Sequence, residues 1–321
     1  MKKHQFIYLA PLVAFGFYLL MLALGLPDKA AITAGITVLT VLLWVTEAIP
    51  IPATSIIPFA LLPLFGIVDH KTVASSLGSH VILLLMGAFM LSKALEKSGA
   101  HERLAVYMVR FVGAHSAKRL VFGFMLTAAI LSMWISNTAT VLIMLPIALA
   151  ILQHIENQKL KVALILGIAY ASSVGGIGTL IGTPPNVIFA GIYEEYTGAE
   201  FGFLQWMKIG VPVVMIAIPI MALWLTRNIH LKDKIVLPEH GRWRKEESRT
   251  LLVFGLTALA WIFRKEPFGG WSGLFDIKIA GDSTVALTAV VLMFMIPNGK
   301  GSRLLDWDTA KTIPWGMLLL F

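Results

Sequence analysis

Residues 175–186 read GGIGTLIGTPPN, and this stretch lies within a long apolar run that extends from about residue 162 to 193. Its four glycines and the pair Pro184-Pro185 cannot continue a regular helix, because proline lacks an N–H donor and its ring clashes with the preceding turn. The sequence therefore predicts a helix that is broken near its middle. A glycine-lined packing contact with a proline kink is the alternative interpretation.

The composition of the chain places this broken helix in a membrane. Of 321 residues, 57% are hydrophobic and 14% are charged, against about 25% charged in soluble domains, and the mean hydropathy is +0.80. The apolar material exceeds what one core can bury, so we predict an all-α polytopic membrane protein. The chain has no cysteine, which excludes thiolate nucleophiles, disulfides and Cys-ligated metals. The net charge of +8 comes from Lys and Arg in short loops between apolar runs, which indicates membrane topology rather than nucleic-acid binding.

Runs of about 20 apolar residues mark the spans. We predict them near residues 6–26, 31–49, 51–68, 80–96, 162–193, 206–227, 250–264 and 283–297, with a partial span from about 313. A further apolar block lies between the fourth and fifth spans. Its first arm, Leu120–Ile135, would be about 24 Å long, which is short of a hydrocarbon core of roughly 30 Å. We therefore predict a re-entrant hairpin over about 119–155, with two short tilted spans as the alternative.

Small polar residues mark the tip of this hairpin, Ser136-Asn137-Thr138. If the second arm begins there, its free N–H groups and the positive end of its dipole point into the turn and suit a carboxylate. A simply capped turn is the alternative. Ser132 lies four residues before Ser136, a spacing that lets both hydroxyls face one Na⁺. Carbonyls freed at a helix break can complete the oxygen shell of that cation.

The Lys and Arg residues predict an orientation. With a cytoplasmic N-terminus, twenty of the 26 fall inside and six outside, as the positive-inside rule requires. The first apolar run is longer than a signal-peptide core and no small-residue cleavage site follows it, so we predict a retained span. We thus expect a multi-pass protein of the inner (plasma) membrane. Its parts are an N-terminal transmembrane helix (1–29), a first repeat (30–230), a cytoplasmic interfacial linker (231–249) and the start of a second repeat (250–321).

A weak internal echo indicates that second repeat. Residues 67–72 read IVDHKT and residues 304–309 read LLDWDT, each before an apolar run, with an offset of 237 residues. Five spans and the hairpin separate the two segments, so the repeats would have opposite topology. The sequence stops inside an apolar run, and we expect a truncated chain that lacks most of the second repeat.

A third feature is Glu47, in the stretch 44–54 that reads WVTEAIPIPAT. An acidic residue between apolar blocks can serve a proton relay, but we favour a tight connection shaped by Pro50 and Pro52 at the cytoplasmic end of a span. No histidine has metal-ligand spacing, and no His or Asp accompanies Ser132 or Ser136 in the membrane. An enzyme is therefore not expected.

These three stretches together resemble the divalent anion/sodium symporter (DASS) family, the INDY-like dicarboxylate carriers. The likeness rests on Ser136-Asn137-Thr138 at a hairpin tip, Gly182–Asn186 at a helix break and Thr46–Pro52 before them, in the family's order. It covers essentially the whole chain, which is similar to the N-terminal two-thirds of such a carrier. The resemblance implies an inverted-repeat transporter fold, and the second hairpin and second broken helix of that fold do not occur in these residues.

The resemblance also implies the roles of individual residues. These are Ser132, Ser136, Asn137 and the backbone of Gly182 for Na⁺; Asn137, Thr138 and Thr183 for substrate; and Gly178, Pro184, Pro185 and Asn186 in support. It further implies a homodimer in a lipid bilayer, with no nucleic-acid partner, whose transport domain moves like an elevator against a scaffold.

The expected function is symport of a small divalent anion, such as the C4-dicarboxylates succinate or malate, with Na⁺ as the coupling ion that binds first. A sulfate or other oxyanion transporter, or a dicarboxylate exchanger of the same fold, is the alternative, because a helix N-terminus favours any anion. A channel fits less well, since broken helices that meet at mid-depth suit an occluded site. Without most of a second repeat, we expect the 321 residues alone not to complete a transport cycle.

Overall fold

The computed structural model describes residues 3–112, 116–153, 155, 157–229, 243–277 and 279–320. Within these residues every regular element is a helix, so the prediction of an all-α protein is confirmed. In chain order the described helices are α1 (Gln5–Ala23), α2 (Asp28–Thr46), α3 (Ile51–Leu64), α4 (His70–Leu77), α5 (His80–Ser98), α6 (Ala100–Val112), α7 (Ala117–Ser132), α8 (Asn137–Leu152), α9 (Gln158–Gly175), α10 (Pro184–Thr197), α11 (Phe203–Thr226), α12 (Lys245–Ile262), α13 (Gly270–Leu274), α14 (Asp282–Met295), α15 (Trp307–Ala310) and α16 (Trp315–Leu320).

Several segments of the described chain are long and apolar enough to cross a membrane. By length and composition these are Gln5–Ala23, Asp28–Thr46, His70–Ser98 and Phe203–Thr226. The helices α3, α8 and α14 are apolar but shorter. Such a set of apolar helices agrees with a polytopic membrane protein.

Most predicted spans coincide with helices to within a few residues, and the differences have local causes. The span predicted at 162–193 is two helices, α9 and α10. Where a re-entrant hairpin is predicted, at about 119–155, the chain forms α7, a short turn and α8, and the two helices pack against each other. Helices α4 and α6 were not predicted, because their polar residues interrupt any long apolar run. Residues 231–242 of the predicted linker lie outside the described residues, and its last part already belongs to α12.

The chain forms two compact units, and the first comprises Met1–Ile82 with Pro314–Phe321. Within it, α1 packs on α2, α2 on α3 and α16 on α3. Small residues occur where α1 meets α2: a β-carbon on Gly35 of α2 would lie 3.3 Å from the carbonyl oxygen of Ala14 on α1, and Ala10 and Ala31 are fully buried. Small side chains let two membrane helices approach closely.

The second unit comprises Leu83–Ile313 and is organised around α7. That helix packs against α6, α8, α9 and α11, and eleven of its 16 residues are buried, among them Phe124 and Met125. Because protein encloses the first arm of the hairpin, any polar side chain near its end must find partners within the protein. Ser132, the last residue of α7, is in that position.

Candidate functional site

The helix break lies between the end of α9 at Gly175 and the start of α10 at Pro184. Thr183 precedes α10 in an extended conformation, with φ −149° and ψ 142°, and two prolines occupy the first two positions of the helix. Proline is well suited to the first turn of a helix, where an N–H has no partner within the helix. The same two prolines provide no N–H donor to the carbonyls that precede them.

The carbonyls of the broken segment have few donors. Asn186 is buried and donates from Nδ2 to the carbonyl oxygens of Gly176 and Thr179, at 2.8 Å each. The indole of Trp206 on α11 donates to the carbonyl of Ile177 at 2.7 Å. Among the described residues, no hydrogen bond reaches the carbonyl of Gly182, which is itself buried. Buried carbonyls are nearly always paired, so this oxygen is a candidate cation ligand.

The turn of the hairpin comprises residues 133–136, and α8 begins at Asn137. Ser136 is the N-cap of α8, and its hydroxyl accepts a hydrogen bond from the N–H of Ala139 at 3.2 Å. Ser136 and Thr138 are exposed, whereas Asn137 between them is half-buried. The Asn137 side chain therefore points differently from those of its two neighbours.

Contacts at Asn137 join the hairpin to the broken segment. The Ser132 hydroxyl is 2.5 Å from Oδ1 of Asn137 and donates to the carbonyl of Ser172 on α9 at 2.7 Å. A β-carbon placed on Gly176 would lie 2.8 Å from Oδ1 of Asn137 and 3.3 Å from the carbonyl oxygen of Gly182. Asn137 and Gly182, which are distant in the sequence, therefore both lie next to Gly176.

Two further contacts hold the same two segments together. Thr179 of the broken segment is fully buried and donates from its hydroxyl to the carbonyl of Met133 in the hairpin turn. Gly175, the last residue of α9, lies against the backbone of Ala129 on α7, where a β-carbon would be only 2.4 Å away. Only glycine permits such an approach of two helices.

The ends of four helices converge at this point. Helices α7 and α9 end here, and α8 and α10 begin here. The C-terminal ends carry partial negative charge and favour a cation, while the N-terminal ends carry partial positive charge and favour an anion. The arrangement can therefore hold a cation and a carboxylate side by side.

The structure brings some of the predicted site residues together and separates others. Ser132, Asn137 and Gly182 are adjacent, with Asn186 directly behind them. Ser136 and Thr138 are exposed, and in the described chain no hydrogen bond joins Ser136 to Ser132, because the Ser136 hydroxyl caps α8. Of the remaining predicted residues, Gly178 is buried, Thr183 and Pro184 are half-buried and Pro185 is exposed.

Sequence reasoning missed three residues that build this site, Ser172, Gly176 and Thr179. Their contacts join positions that are distant in the sequence: Ser132 and Ser172 are 40 residues apart, and Thr179 and Met133 are 46 residues apart. Hydroxyl residues at Ser172 and Thr179 in an apolar run were the available signal, because such groups need partners in a membrane.

The structure does not favour a proton relay at Glu47. This residue follows α2 in a left-handed conformation, φ 46° and ψ 39°, and forms an exposed ion pair with Lys3 at 2.8 Å. The hydrogen bond from Lys3 lowers the pKa of Glu47, so the carboxylate is ionised at neutral pH. Pro50, the residue before α3, supports the predicted tight connection.

Comparison with known proteins identifies the family. A sequence model of the CitMHS family, described as citrate transporter, matches residues 41–321. The chain belongs to the citrate transporter family. As a member of that family it is also similar to the sodium-dependent dicarboxylate transporter SdcS of Staphylococcus aureus, in strains USA300, NCTC 8325 and COL, with 37% identity over 92% of this chain.

This member of the citrate transporter family spans 61% of the length of those relatives. The matched family and the relatives are named as transporters, not enzymes, which agrees with the expectation from the sequence. They also agree with the resemblance to INDY-like dicarboxylate carriers. Together with the apolar helices, they make the chain a multi-pass membrane protein.

Proposed function

We propose that the chain forms the first sodium site and part of the substrate site of a sodium-coupled carrier for small divalent anions, most simply succinate or malate. The observation that carries the proposal is the carbonyl of the buried residue Gly182, which has no hydrogen-bond donor in the described chain and lies beside the side chain of Asn137. The name of the relative, a sodium-dependent dicarboxylate transporter, supports the same cation and substrate class.

The sodium ligands in this proposal are Ser132, Asn137 and the carbonyl of Gly182. The Ser132 hydroxyl has one proton but lies within hydrogen-bonding distance of two oxygens, on Asn137 and Ser172. When it donates to Ser172, no proton separates it from Oδ1 of Asn137, and a cation bound by both oxygens relieves the repulsion of their lone pairs. Na⁺ is a hard cation that is bound by such oxygen ligands and by the C-terminal ends of broken helices. The exposed Ser136 contributes after a change of its side-chain rotamer away from the cap.

The anion in this proposal binds at the N-terminal ends of α8 and α10. Thr138 and Thr183 lie at these two ends, and their side chains are exposed and half-buried, respectively. The dipoles of both helices favour a carboxylate, and the N–H groups of the first turn of α8 add to this, whereas Pro184 and Pro185 of α10 have none. A bound Na⁺ lowers the electrostatic cost of bringing a dianion beside it. This coupling predicts that sodium binds before the substrate.

The wider architecture follows the same proposal. The hairpin and the broken helix would move together as a transport domain in an elevator motion, because the contacts of Asn137 and Thr179 tie them to each other. The proposal also includes a homodimer, an inverted second repeat that starts near residue 250 and a cytoplasmic N-terminus. The Lys and Arg distribution supports that orientation.

The test is uptake of radiolabelled succinate by cells that express the protein, with and without an inward sodium gradient. We expect sodium-dependent uptake that Asn137→Ala and Ser132→Ala abolish. Ser173→Ala is the matched control, because within the described residues the hydroxyl of this exposed serine bonds only to the carbonyl of Ala169, in its own helix α9. Uptake that is indifferent to sodium would contradict the coupling.

A second measurement separates cation binding from transport. Binding of ²²Na⁺ to the purified 321-residue chain should be lost in the Ser132 and Asn137 variants and kept in the Ser173 control. Competition distinguishes the substrates, since excess unlabelled succinate should block uptake and excess sulfate should not. Inhibition by sulfate but not by succinate would indicate that the substrate is an oxyanion rather than a dicarboxylate.

A further inference from the structure

A cavity of about 380 Å³ lies between the beginning of α9 and the end of α11. Its walls include Lys159 and Val162 on α9 and Trp224 and Arg227 at the end of α11. None of these residues belongs to the site at the hairpin tip. Helices α9 and α11 pack against each other, so the cavity is formed by two adjoining elements of one compact unit.

Two positively charged side chains line this cavity. Lys159 and Arg227 are both exposed, and in the part of the chain that the structure describes neither forms an ion pair with a carboxylate. The Arg227 guanidinium lies 3.6 Å from the ring centroid of Trp224, which keeps it at the wall of the cavity. Arg227 directly follows the apolar segment Phe203–Thr226, the end of which would reach the membrane surface.

An apolar strip continues from the cavity along both helices. On α11, Ile216, Ile220 and Trp224 are each 60% exposed or more and are spaced four residues apart, so they share one face. On α9, Val162 and Leu166 are also exposed and share the same spacing. The positively charged side chains at the cavity are therefore next to an apolar surface on both helices. From Ile216 to Trp224 that surface extends about 12 Å along α11.

We infer that this cavity binds an anionic glycerophospholipid, with its phosphate between Lys159 and Arg227 and its acyl chains along α9 and α11. Basic pockets between membrane helices recognise anionic headgroups, and exposed Trp and Arg side chains anchor at the interface. A free phosphate would use the cations but not the apolar strip. A zwitterionic lipid would bring a cationic headgroup next to two cations that have no acidic neighbour in the described chain.

The test is native mass spectrometry of the purified chain from membranes that contain equal amounts of phosphatidylglycerol and phosphatidylcholine. The wild type should retain phosphatidylglycerol selectively. The double variant Lys159→Gln/Arg227→Gln should reduce that retention about tenfold or more, since each basic residue near a membrane surface adds measurably to lipid binding. Lys161→Gln is the matched control, because Lys161 lies two residues further along α9 and does not line the cavity.

Two further measurements keep the inference falsifiable if the double variant does not fold. Val162→Phe leaves every charge in place and fills the cavity, so it too should reduce retention of phosphatidylglycerol. Soluble glycerol 3-phosphate in excess should not displace the bound lipid. Equal retention of phosphatidylcholine, unchanged retention in Val162→Phe or displacement by glycerol 3-phosphate would each overturn the assignment.

Discussion

Asn137 lies so close to Gly176 that its side-chain oxygen is 2.8 Å from the position of a β-carbon on residue 176. A real β-carbon essentially never lies that close to another atom, so the hydrogen of Gly176 is what allows Asn137 to reach the broken helix. The contact is the point at which two segments about forty residues apart become one site.

Gly176→Ala should therefore displace Asn137 and weaken sodium binding. Overpacking of this size costs about 1–3 kcal/mol, and if that cost falls on the sodium-bound state it weakens the affinity by about fivefold to 150-fold. The measurement is ²²Na⁺ binding to the purified chain. Gly255→Ala is the control, because Gly255 lies inside α12 with open space around it. An unchanged affinity in Gly176→Ala would show that Asn137 does not need this position.

Thr179→Val should loosen the hairpin turn without changing the shape of the buried side chain. The substitution removes the hydrogen bond to Met133 and leaves its carbonyl without that donor, at a cost of about 1–3 kcal/mol. Hydrogen exchange of residues 133–139 should accelerate, and the chain should unfold at a lower temperature. Thr197→Val, which removes a bond to Tyr193 in an exposed last turn, should leave exchange at the hairpin unchanged.

Glu247→Gln should be more destabilising than removal of the whole ion pair with Arg103. Glu247 and Arg103 are 2.9 Å apart with side chains 1% and 8% exposed, and Arg244 also binds Glu247. Removal of one partner leaves a buried charge, at about 3–5 kcal/mol, whereas apolar replacement of both is often nearly neutral. Thermal unfolding in detergent should rank the double variant Arg103→Met/Glu247→Met above Glu247→Gln. The reverse order would mean that the pair itself stabilises this part of the protein.

Asp306 predicts a pH dependence. Its hydrogen bond with Lys97, at 2.5 Å, is the main reason that the pKa of Asp306 is lowered to about 2 from the usual 3.8 of an aspartate. Because the pKa of Asp306 is lower in the folded than in the unfolded state, its ionisation stabilises the folded protein at pH values above the unfolded-state pKa. This contribution is lost as the pH falls through the folded-state pKa. Wild type should therefore be more stable than Asp306→Asn at pH 6, and this difference should shrink between pH 4 and pH 2. The asparagine retains the capping oxygen, so a difference that persists at pH 2 would point to a cause other than charge. The pair is partly exposed, and we expect roughly 1 kcal/mol or less.

The helix break and the hairpin tip were predictable because each is a local exception to an apolar pattern. Pro184-Pro185 and the glycines before them exclude a continuous helix at any position in the fold. Helix α6 was not predictable in this way, since Arg103 and His101 are both buried and interrupt the apolar pattern that marked the spans.

The partners of individual hydroxyls were also beyond the sequence pattern. Ser132 and Ser136 have the spacing of one helix face, but α7 ends at Ser132 and Ser136 begins the next helix as its cap. The Ser132 hydroxyl instead reaches Asn137 and Ser172. Such contacts depend on how α7 and α9 pack, which local spacing does not specify.

The two prolines at the start of α10 make the gap before it permanent. Movement of α9 toward α10 cannot join them into one helix, because residues 184 and 185 have no amide hydrogen to donate to the carbonyls of the preceding turn. If the two helices move during function, the interruption between them therefore persists throughout the movement.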